Sequence, residues 1–224
     1  MIQLENVFVR YNNNLEAIID ISLMIEKGEF VYVYGPGGSG KSSMMKLINA
    51  EVLPDSGRVL IDQQDTLKMK SGDIASLRKS IGFIYQDFRM LWKRTVYENL
   101  EFVLNALKAE EDLIFDKICD ALRIVNLLDK KDYLPPQLSY GDQRCLCIAR
   151  ALVNSPQIIL ADEPMVDLDA YISNEIMRVL NNIVHQENTT VILSTKSMDI
   201  VKKYPHRVIE LGGGKLIRDE SPKT

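Results

Sequence analysis

Cysteine and histidine are scarce in this chain. Three cysteines and two histidines occur among its 224 residues. Cys119, Cys145 and Cys147 are too few and too unevenly spaced for a disulfide framework or a zinc site. Cys145 and Cys147 lie two residues apart on a predicted helix, where side chains point in different directions, so core packing is the better interpretation. The pattern favours a reduced, cytoplasmic protein.

Long apolar segments and an excess of positive charge are also missing. No apolar run approaches the roughly 18–20 residues that span a bilayer. The first ten residues, MIQLENVFVR, contain the early Glu5 and lack the apolar core of a signal peptide. The net charge is −4, and the lysines and arginines are scattered. We therefore expect no nucleic-acid partner and no membrane span.

Short β-rich segments alternate with helical ones, which is typical of α/β architecture. The residues from 158 to 161, IILA, form a continuous apolar run, as expected for a strand buried on both faces of a parallel sheet. A helix is predicted over residues 41–50. Strands are predicted over residues 28–34, 59–62, 81–85, 158–162 and 190–194, with a closing hairpin of residues 208–211 and 215–218.

The middle of the chain has a different pattern. Helical spacing of apolar residues covers 96–107 and 113–128, and no strong strand signal interrupts it. We therefore predict a single domain, residues 1–224. Its α/β core is formed by residues 1–86 and 151–224, and residues 87–150 form a helical insert.

A glycine-rich segment after the first predicted core strand reads GPGGSGKS and fits the pattern G-x-x-x-x-G-K-[ST]. The alternative, a simple glycine-rich turn, is disfavoured because a strand precedes the segment and a helix follows it. Backbone N–H groups would wrap a β-phosphate, Lys41 would reach the β- and γ-phosphate oxygens, and the Ser42 hydroxyl would ligate Mg²⁺. The predicted nucleotide-binding residues here are Gly35, Pro36, Gly37, Gly38, Ser39, Gly40, Lys41, Ser42 and Ser43.

Two acids end the apolar strand at residues 158–162. Ligands of parallel sheets gather at the carboxyl ends of the strands, so Asp162 and Glu163 are expected to face the phosphate loop. Asp162 would hold Mg²⁺, and Glu163 would orient or deprotonate an attacking water. The alternative is that the two acids are ordinary carboxylates exposed to solvent, which is the usual case when no phosphate loop accompanies such a pair.

The segment LSYGDQR, residues 138–144, precedes an apolar helix. Ser139 is well placed to cap that helix, and Gly141 leaves N–H groups uncovered in its first turn, which attracts anions. A plain helix cap is the alternative. The bulky Tyr140 between them needs an explanation.

A phosphate loop, an LSxGxQ-type segment and an apolar strand ending in Asp-Glu, in this order, resemble the ATP-binding cassette (ABC) ATPases over the whole chain. The resemblance implies a P-loop NTPase fold with a RecA-like core, an antiparallel β subdomain and the helical insert. It also implies ATP and Mg²⁺ as cofactors. Tyr11 would stack on adenine, Gln86 would sense Mg²⁺ and the γ-phosphate, and Lys196 stands where the family has its switch histidine.

The resemblance implies a homodimer with ATP at the interface, in which Ser139 and Gly141 cap the γ-phosphate held by a second copy. The chain departs from the family pattern at Tyr140, Asp142, Cys145 and Lys196, and two of these departures bear on the expected function. Tyr140 replaces a glycine, which matters if that position needs a positive φ or very close approach of a phosphate, and matters little if the side chain points away. Lys196 offers a mobile charge rather than a fixed imidazole, so hydrolysis is expected to be slow.

The segments QDFR and TVYEN, within residues 86–99, resemble the bacterial cell-division branch of this family. That branch implies an integral membrane subunit docking on the apolar cluster of residues 88–92, with the chain peripherally bound at the cytoplasmic face of the membrane. Packing of this cluster into the insert's own core is the alternative. Two other functions remain open, namely an ATP-gated clamp with weak hydrolysis and the ATPase of a lipoprotein or macrolide exporter.

Overall fold

The computed structural model describes residues 1–11 and 15–222, with only the backbone described at 185–187. The described strands are β1 (Ile2–Tyr11), β2 (Leu15–Ile25), β3 (Phe30–Tyr34), β4 (Ser56–Ile61), β5 (Gln64–Asp65), β6 (Ile81–Ile84), β7 (Ile158–Asp162), β8 (Thr190–Thr195), β9 (Arg207–Gly212) and β10 (Lys215–Glu220). The described α-helices are α1 (Lys41–Ile48), α2 (Ser71–Lys79), α3 (Val96–Ala106), α4 (Glu111–Ile124), α5 (Tyr140–Leu152), α6 (Ala170–Glu187) and α7 (Met198–Lys203).

The strands form two sheets. Six of them lie in the order β10-β9-β3-β8-β7-β6, and only the β9–β10 hairpin in this sheet is antiparallel. The carboxyl ends of β3, β8, β7 and β6 therefore lie along one edge of this sheet. The other four strands form an antiparallel sheet in the order β2-β1-β4-β5. This arrangement matches the predicted α/β core with an antiparallel subdomain.

The parallel sheet is buried on both faces, which explains its continuous apolar strands. Side chains alternate between the faces along β3. Phe30 and Tyr32 pack with the helical insert and α6, whereas Val31 and Val33 pack with α1 and the antiparallel sheet. All five residues of β7 are buried. Burial raises the pKa of the Cys145 thiol to about 11 and also raises that of Cys147, as expected for thiols packed in a core.

Residues 87–150 contain helices α3, α4 and α5 and no strand. A capping box fixes the start of α3, because the Thr95 hydroxyl accepts from the N–H of Glu98 and the Glu98 carboxylate accepts from the N–H of Thr95. The prediction that the next helix runs to residue 128 is wrong. Helix α4 ends at Ile124, and Asn126 adopts a left-handed backbone conformation that breaks it.

The long strands β1 and β2 were not predicted from the sequence. Their pairing contains register shifts near Val7, and Asn6 and Asp20 have positive φ values. These bulges interrupt the two-residue alternation by which strands are recognised in a sequence. Among the described residues, no helix is long and apolar enough to cross a membrane.

Asn99, on α3, holds the loop that precedes the helix. Its side chain is fully buried. Its Oδ1 accepts from the N–H of Leu91 at 2.9 Å, and its Nδ2 donates to the carbonyls of Leu91, Arg94 and Thr95. The loop conformation therefore depends on one amide group.

We predict that Asn99→Ala lowers the free energy of unfolding by about 1–3 kcal/mol, because buried polar groups of the loop lose their partners. Urea denaturation measures the change. The exposed Asn105 on the same helix provides the matched control, and Asn105→Ala should change stability by less than about 0.5 kcal/mol. Equal effects of the two substitutions would contradict the role given to Asn99.

Candidate functional site

The glycine-rich loop joins β3 to α1, and two of its glycines are required by close backbone approach. A Cβ at Gly35 would lie 2.3 Å from the carbonyl oxygen of Leu211. Gly40 has a φ of 103°, and a Cβ there would lie 2.5 Å from the carbonyl oxygen of Ala17. A Cβ at Gly37 or Gly38 would meet no described atom within 4 Å. One side of the loop is therefore fixed by the fold, and the other side is open.

Lys41 lies along this loop and is buried. Its Nζ donates to the carbonyl oxygens of Gly35 at 2.8 Å and Pro36 at 2.9 Å. The Ser39 hydroxyl is also buried and has no hydrogen-bond partner among the described residues. Ser42 is exposed in the first turn of α1. An open loop with a cation, an unpartnered hydroxyl and a helix N-terminus fits a phosphate group.

The two acids at the end of β7 are held by a single serine on the neighbouring strand. Parallel pairing places Asp162 opposite Ser194 on β8. The Ser194 hydroxyl donates to Oδ1 of Asp162 at 2.6 Å and accepts from the N–H of Glu163 at 2.9 Å. Glu163 has a φ of 46°, a left-handed conformation that is unfavourable for a glutamate. The hydrogen bond from its N–H to Ser194 helps to stabilise this turn, which directs the Glu163 side chain toward the phosphate loop.

The carboxylate of Glu163 lies between two ammonium groups. Oε1 is 3.4 Å from Nζ of Lys41, and Oε2 is 3.1 Å from Nζ of Lys196. Lys196 directly follows β8, and its side chain is 53% exposed, whereas those of Glu163 and Lys41 are buried. An anion placed on the loop would compete with Glu163 for both cations. The ion pair with Lys41 therefore links the Glu163 carboxylate directly to the phosphate loop.

Tyr11 and Gln86 lie at the periphery of this group. Tyr11 ends β1, and its hydroxyl is 3.2 Å from the hydroxyl of Ser43, on α1. Gln86 is exposed and follows β6, which pairs in parallel with β7, so it lies at the same sheet edge as Asp162. The structure thus brings the phosphate loop, Asp162 and Glu163, and Lys196 together, with Tyr11 and Gln86 alongside.

Ser139 and Gly141 are not joined to the phosphate loop by any hydrogen bond between described residues. The Ser139 hydroxyl accepts from the N–H of Asp142 and donates to its carboxylate, which also pairs with Lys130 at 2.8 Å. Burial opposes the charge on Asp142, but the hydrogen bonds from Lys130 and Ser139 outweigh it and keep its pKa below the usual value. Ser139 therefore caps α5 within its own chain.

Tyr140 occupies the first turn of α5 with an ordinary helical backbone, and its φ is not positive. Its side chain is half exposed and its ring packs on Phe88, with centroids 5.0 Å apart and planes at 73°. Tyr140 therefore has no conflict with a positive φ at this position. The neighbouring Gly141 is buried, and a Cβ there would press on the side chain of Ile172 at 3.1 Å.

The apolar residues of the cluster 88–92 differ in burial, so some of them fit packing into the core of the insert and others fit docking of a membrane subunit. Met90 is buried in the core, Phe88 and Leu91 are partly buried, and Trp92 is exposed. Beside it lies a groove of about 360 Å³ that the sequence did not indicate. Its lining combines apolar and aromatic side chains with basic ones, and includes Phe83, Tyr85, Leu91, Phe102, Arg78, Lys79, Arg89 and Arg150.

Comparison with known proteins identifies relatives along almost the whole chain. The ABC transporter family model matches residues 18–166. The cell division ATP-binding protein FtsE of Bacillus subtilis is 39% identical over 99% of this chain and 96% of its own length. FtsE of Mycobacterium tuberculosis is 41% identical over 98% of this chain and 96% of its own length. The methionine import ATP-binding protein MetN 2 of Bacillus cereus is 35% identical over 98% of this chain and 66% of its own length.

A solved structure has the same fold. It is a dimeric ATP-binding cassette in a post-hydrolysis state, bound to ADP and Pi, with a TM-score of 0.91 and 31% identity over the full length of both chains. The predicted fold class is confirmed by this match.

The contact between Lys196 and Glu163 predicts the effect of restoring histidine. Lys196→His should raise the single-turnover rate of ATP hydrolysis by up to about tenfold, because an imidazole donor is more precisely placed than a mobile ammonium and releases one oxygen of Glu163. Rapid-quench measurement at saturating ATP gives the rate. Lys202→His, at an exposed lysine on α7, is the control and should leave the rate unchanged. A slower Lys196→His variant would show that the lysine itself assists hydrolysis.

Proposed function

Because this chain belongs to the ABC transporter family and is an ATPase, we propose that it is the ATP-hydrolysing subunit of an FtsEX-type membrane complex in bacterial cell division. In that complex, ATP-driven dimerisation would act on an FtsX-like membrane partner that regulates cell-wall hydrolysis. The observation that carries the proposal is the similarity to FtsE proteins over nearly the full length of both chains. The MetN relatives are longer, and this chain spans about two thirds of them.

Hydrolysis would begin with ATP on the phosphate loop, its phosphates held by backbone N–H groups and Lys41, and its adenine against Tyr11. Ser42, Asp162 and Gln86 would hold Mg²⁺, which supplies charge neutralisation at the β- and γ-phosphate oxygens. The side chains fit this ion, because hydroxyl, carboxylate and amide oxygens are the ligands that Mg²⁺ prefers. Oδ1 of Asp162 accepts from the Ser194 hydroxyl, and the other carboxylate oxygen accepts no side-chain hydrogen bond from a described residue, so that oxygen would help to hold the ion.

Glu163 would act on the attacking water. In our proposal the γ-phosphate draws Lys41 and Lys196 away from the carboxylate, which then accepts a proton from the water. The water oxygen forms a bond to the γ-phosphorus while the bond to the oxygen shared with the β-phosphate breaks, giving ADP and phosphate. Lys196 would remain near the γ-phosphate and offset its charge.

Ser139 and Gly141 would serve a second copy of the chain. Within one chain they lie apart from the phosphate loop, whereas a head-to-tail dimer would place the start of α5 over the partner's γ-phosphate. The dimeric state of the related cassette bound to ADP and Pi supports this arrangement. The first-turn N–H groups of α5 would then bind the anion, with Ser139 holding the helix start in shape.

The Glu163→Gln variant tests the ATP-driven dimer. We expect it to bind ATP and to accumulate as a dimer of twice the 25.5 kDa chain mass, because the base is removed while its shape is kept. Light scattering after size exclusion, with and without MgATP, measures the mass. The double variant Lys41→Ala/Glu163→Gln is the control and should remain monomeric. A Glu163→Gln protein that hydrolyses ATP at the unaltered rate would refute the assignment of the base.

The groove beside residues 88–92 is the proposed dock of the membrane subunit. Its apolar lining includes the exposed Phe102 and also Leu91, which the exposed Trp92 directly follows in the chain, and it suits the apolar face of a short helix. Arg78, Lys79, Arg89 and Arg150 would favour acidic side chains on that helix. Bound there, the chain would lie peripherally at the cytoplasmic face of the membrane.

We predict that Trp92→Ala and Phe102→Ala each weaken binding of the membrane subunit by about tenfold or more, since exposed aromatic anchors dominate such interfaces. Co-purification from detergent with an FtsX-type membrane subunit measures the effect, and ATP affinity should stay unchanged. Phe115→Ala is the matched control, because Phe115 is a similarly exposed aromatic of the helical insert and neither it nor its chain neighbours line the groove. Binding that is insensitive to both substitutions would place the dock elsewhere.

An ATP-gated clamp that hydrolyses slowly is the second candidate. It is favoured by one observation, the pairing of Lys196 with Glu163 in the absence of a family-type histidine. A single-turnover rate below the rate of dimer dissociation would identify the clamp.

A further inference from the structure

One face of α5 holds the backbone that follows β6. Three side chains spaced three residues apart along the helix donate hydrogen bonds to it. Arg144 donates to the carbonyls of Tyr85 and Gln86 at 2.9 Å each, Cys147 to that of Phe88, and Arg150 to those of Phe88 and Arg89. The segment that carries Gln86 is therefore attached to the same helix whose first turn contains the LSYGDQR residues.

Arg144 is the most constrained of these side chains. It is 1% exposed, its Nε has no hydrogen-bond partner, and no carboxylate among the described residues forms an ion pair with it. Its guanidinium group lies over the Phe88 ring, 4.6 Å from the centroid. A buried cation without a counterion is costly, so it is held in place by the two carbonyls and the ring face.

The Phe88 ring also contacts Tyr140, which packs against it edge-on from the helix start. Phe88 thus lies between the cation of Arg144 and the ring of Tyr140. Tyr140 follows Ser139 directly, and Phe88 follows Gln86 by two residues. The three side chains form a short column between the helix start and the Gln86 segment.

We propose that Arg144 is a positioning residue for Gln86, and that the column Arg144–Phe88–Tyr140 makes the Gln86 segment and the start of α5 respond to nucleotide as one unit. This role rests on the proposed function of Gln86 as a sensor of Mg²⁺ and the γ-phosphate. It assigns the unusual Tyr140 a purpose away from the nucleotide. Its aromatic ring, rather than its backbone, is what the column uses.

The single tryptophan of the chain, Trp92, lies six residues after Gln86 and serves as the fluorescence probe. Mg²⁺ is titrated into the ATP-saturated full-length protein, and Trp92 emission is read in a stopped-flow instrument before turnover. ATP affinity is measured separately in EDTA. Arg144→Met should raise the Mg²⁺ midpoint by about tenfold, since two charge-assisted hydrogen bonds are lost. Tyr140→Ala should raise it by about threefold through loss of the aromatic pair, and Tyr140→Phe should restore it.

ATP affinity in EDTA should stay within about twofold of the unaltered protein in every variant, because the phosphate loop is untouched. Arg123→Met, at an exposed arginine on α4, is the matched control and should leave the midpoint unchanged. Arg144→Lys keeps the charge in case Arg144→Met fails to fold, and it should give an intermediate midpoint because an ammonium lacks the planar fork.

The Gln86→Ala variant distinguishes failure of the positioning role of Arg144 from failure of the proposed sensor role of Gln86. If Gln86→Ala leaves the Mg²⁺ midpoint unchanged, the sensor role of Gln86 is wrong. If Gln86→Ala shifts the midpoint while Arg144→Met and Arg144→Lys leave it unchanged, the positioning role is overturned and the sensor role stands. Absence of any Trp92 response in the unaltered protein also overturns the proposal that this segment moves with nucleotide.

Discussion

The parallel pairing of β7 with β8 is the constraint on which the site depends. It places Ser194 opposite Asp162, so that one hydroxyl binds the carboxylate of Asp162 and the N–H of Glu163. The same alignment of strand ends brings the phosphate loop after β3 and Lys196 after β8 to this edge. Without that register the two acids would have neither their hydrogen bonds nor their cations.

The electrostatic state of Glu163 follows from this geometry. Its carboxylate is buried between Lys41 and Lys196, and a buried anion is tolerated only when it is paired. The same two cations are the ones that a triphosphate would attract. In the proposed function, a bound triphosphate would therefore compete with the Glu163 carboxylate for these shared charges.

Tyr140 and Arg144 show how a departure from a family pattern can be absorbed. Tyr140 takes a helical backbone and directs its ring to Phe88, so that the replacement of glycine creates a contact rather than strain. Arg144 binds the carbonyls of Tyr85 and Gln86 from a fully buried position. Together they connect the helix start to the segment beside the proposed membrane dock.

The sequence by itself determined the elements whose signals are local. The glycine-rich loop, the apolar strand β7 and the helical spacing of α3 each follow from neighbouring residues, and the order of the motifs identified the family. The strands β1 and β2 were missed because their bulges break the alternation. Only the tertiary structure decided that Ser194 holds the acids, that Lys196 pairs with Glu163 and that Met90 is core while Trp92 is exposed. Those contacts join residues that are far apart in the chain. A local sequence pattern does not determine which distant side chain will lie next to a given residue in the folded structure.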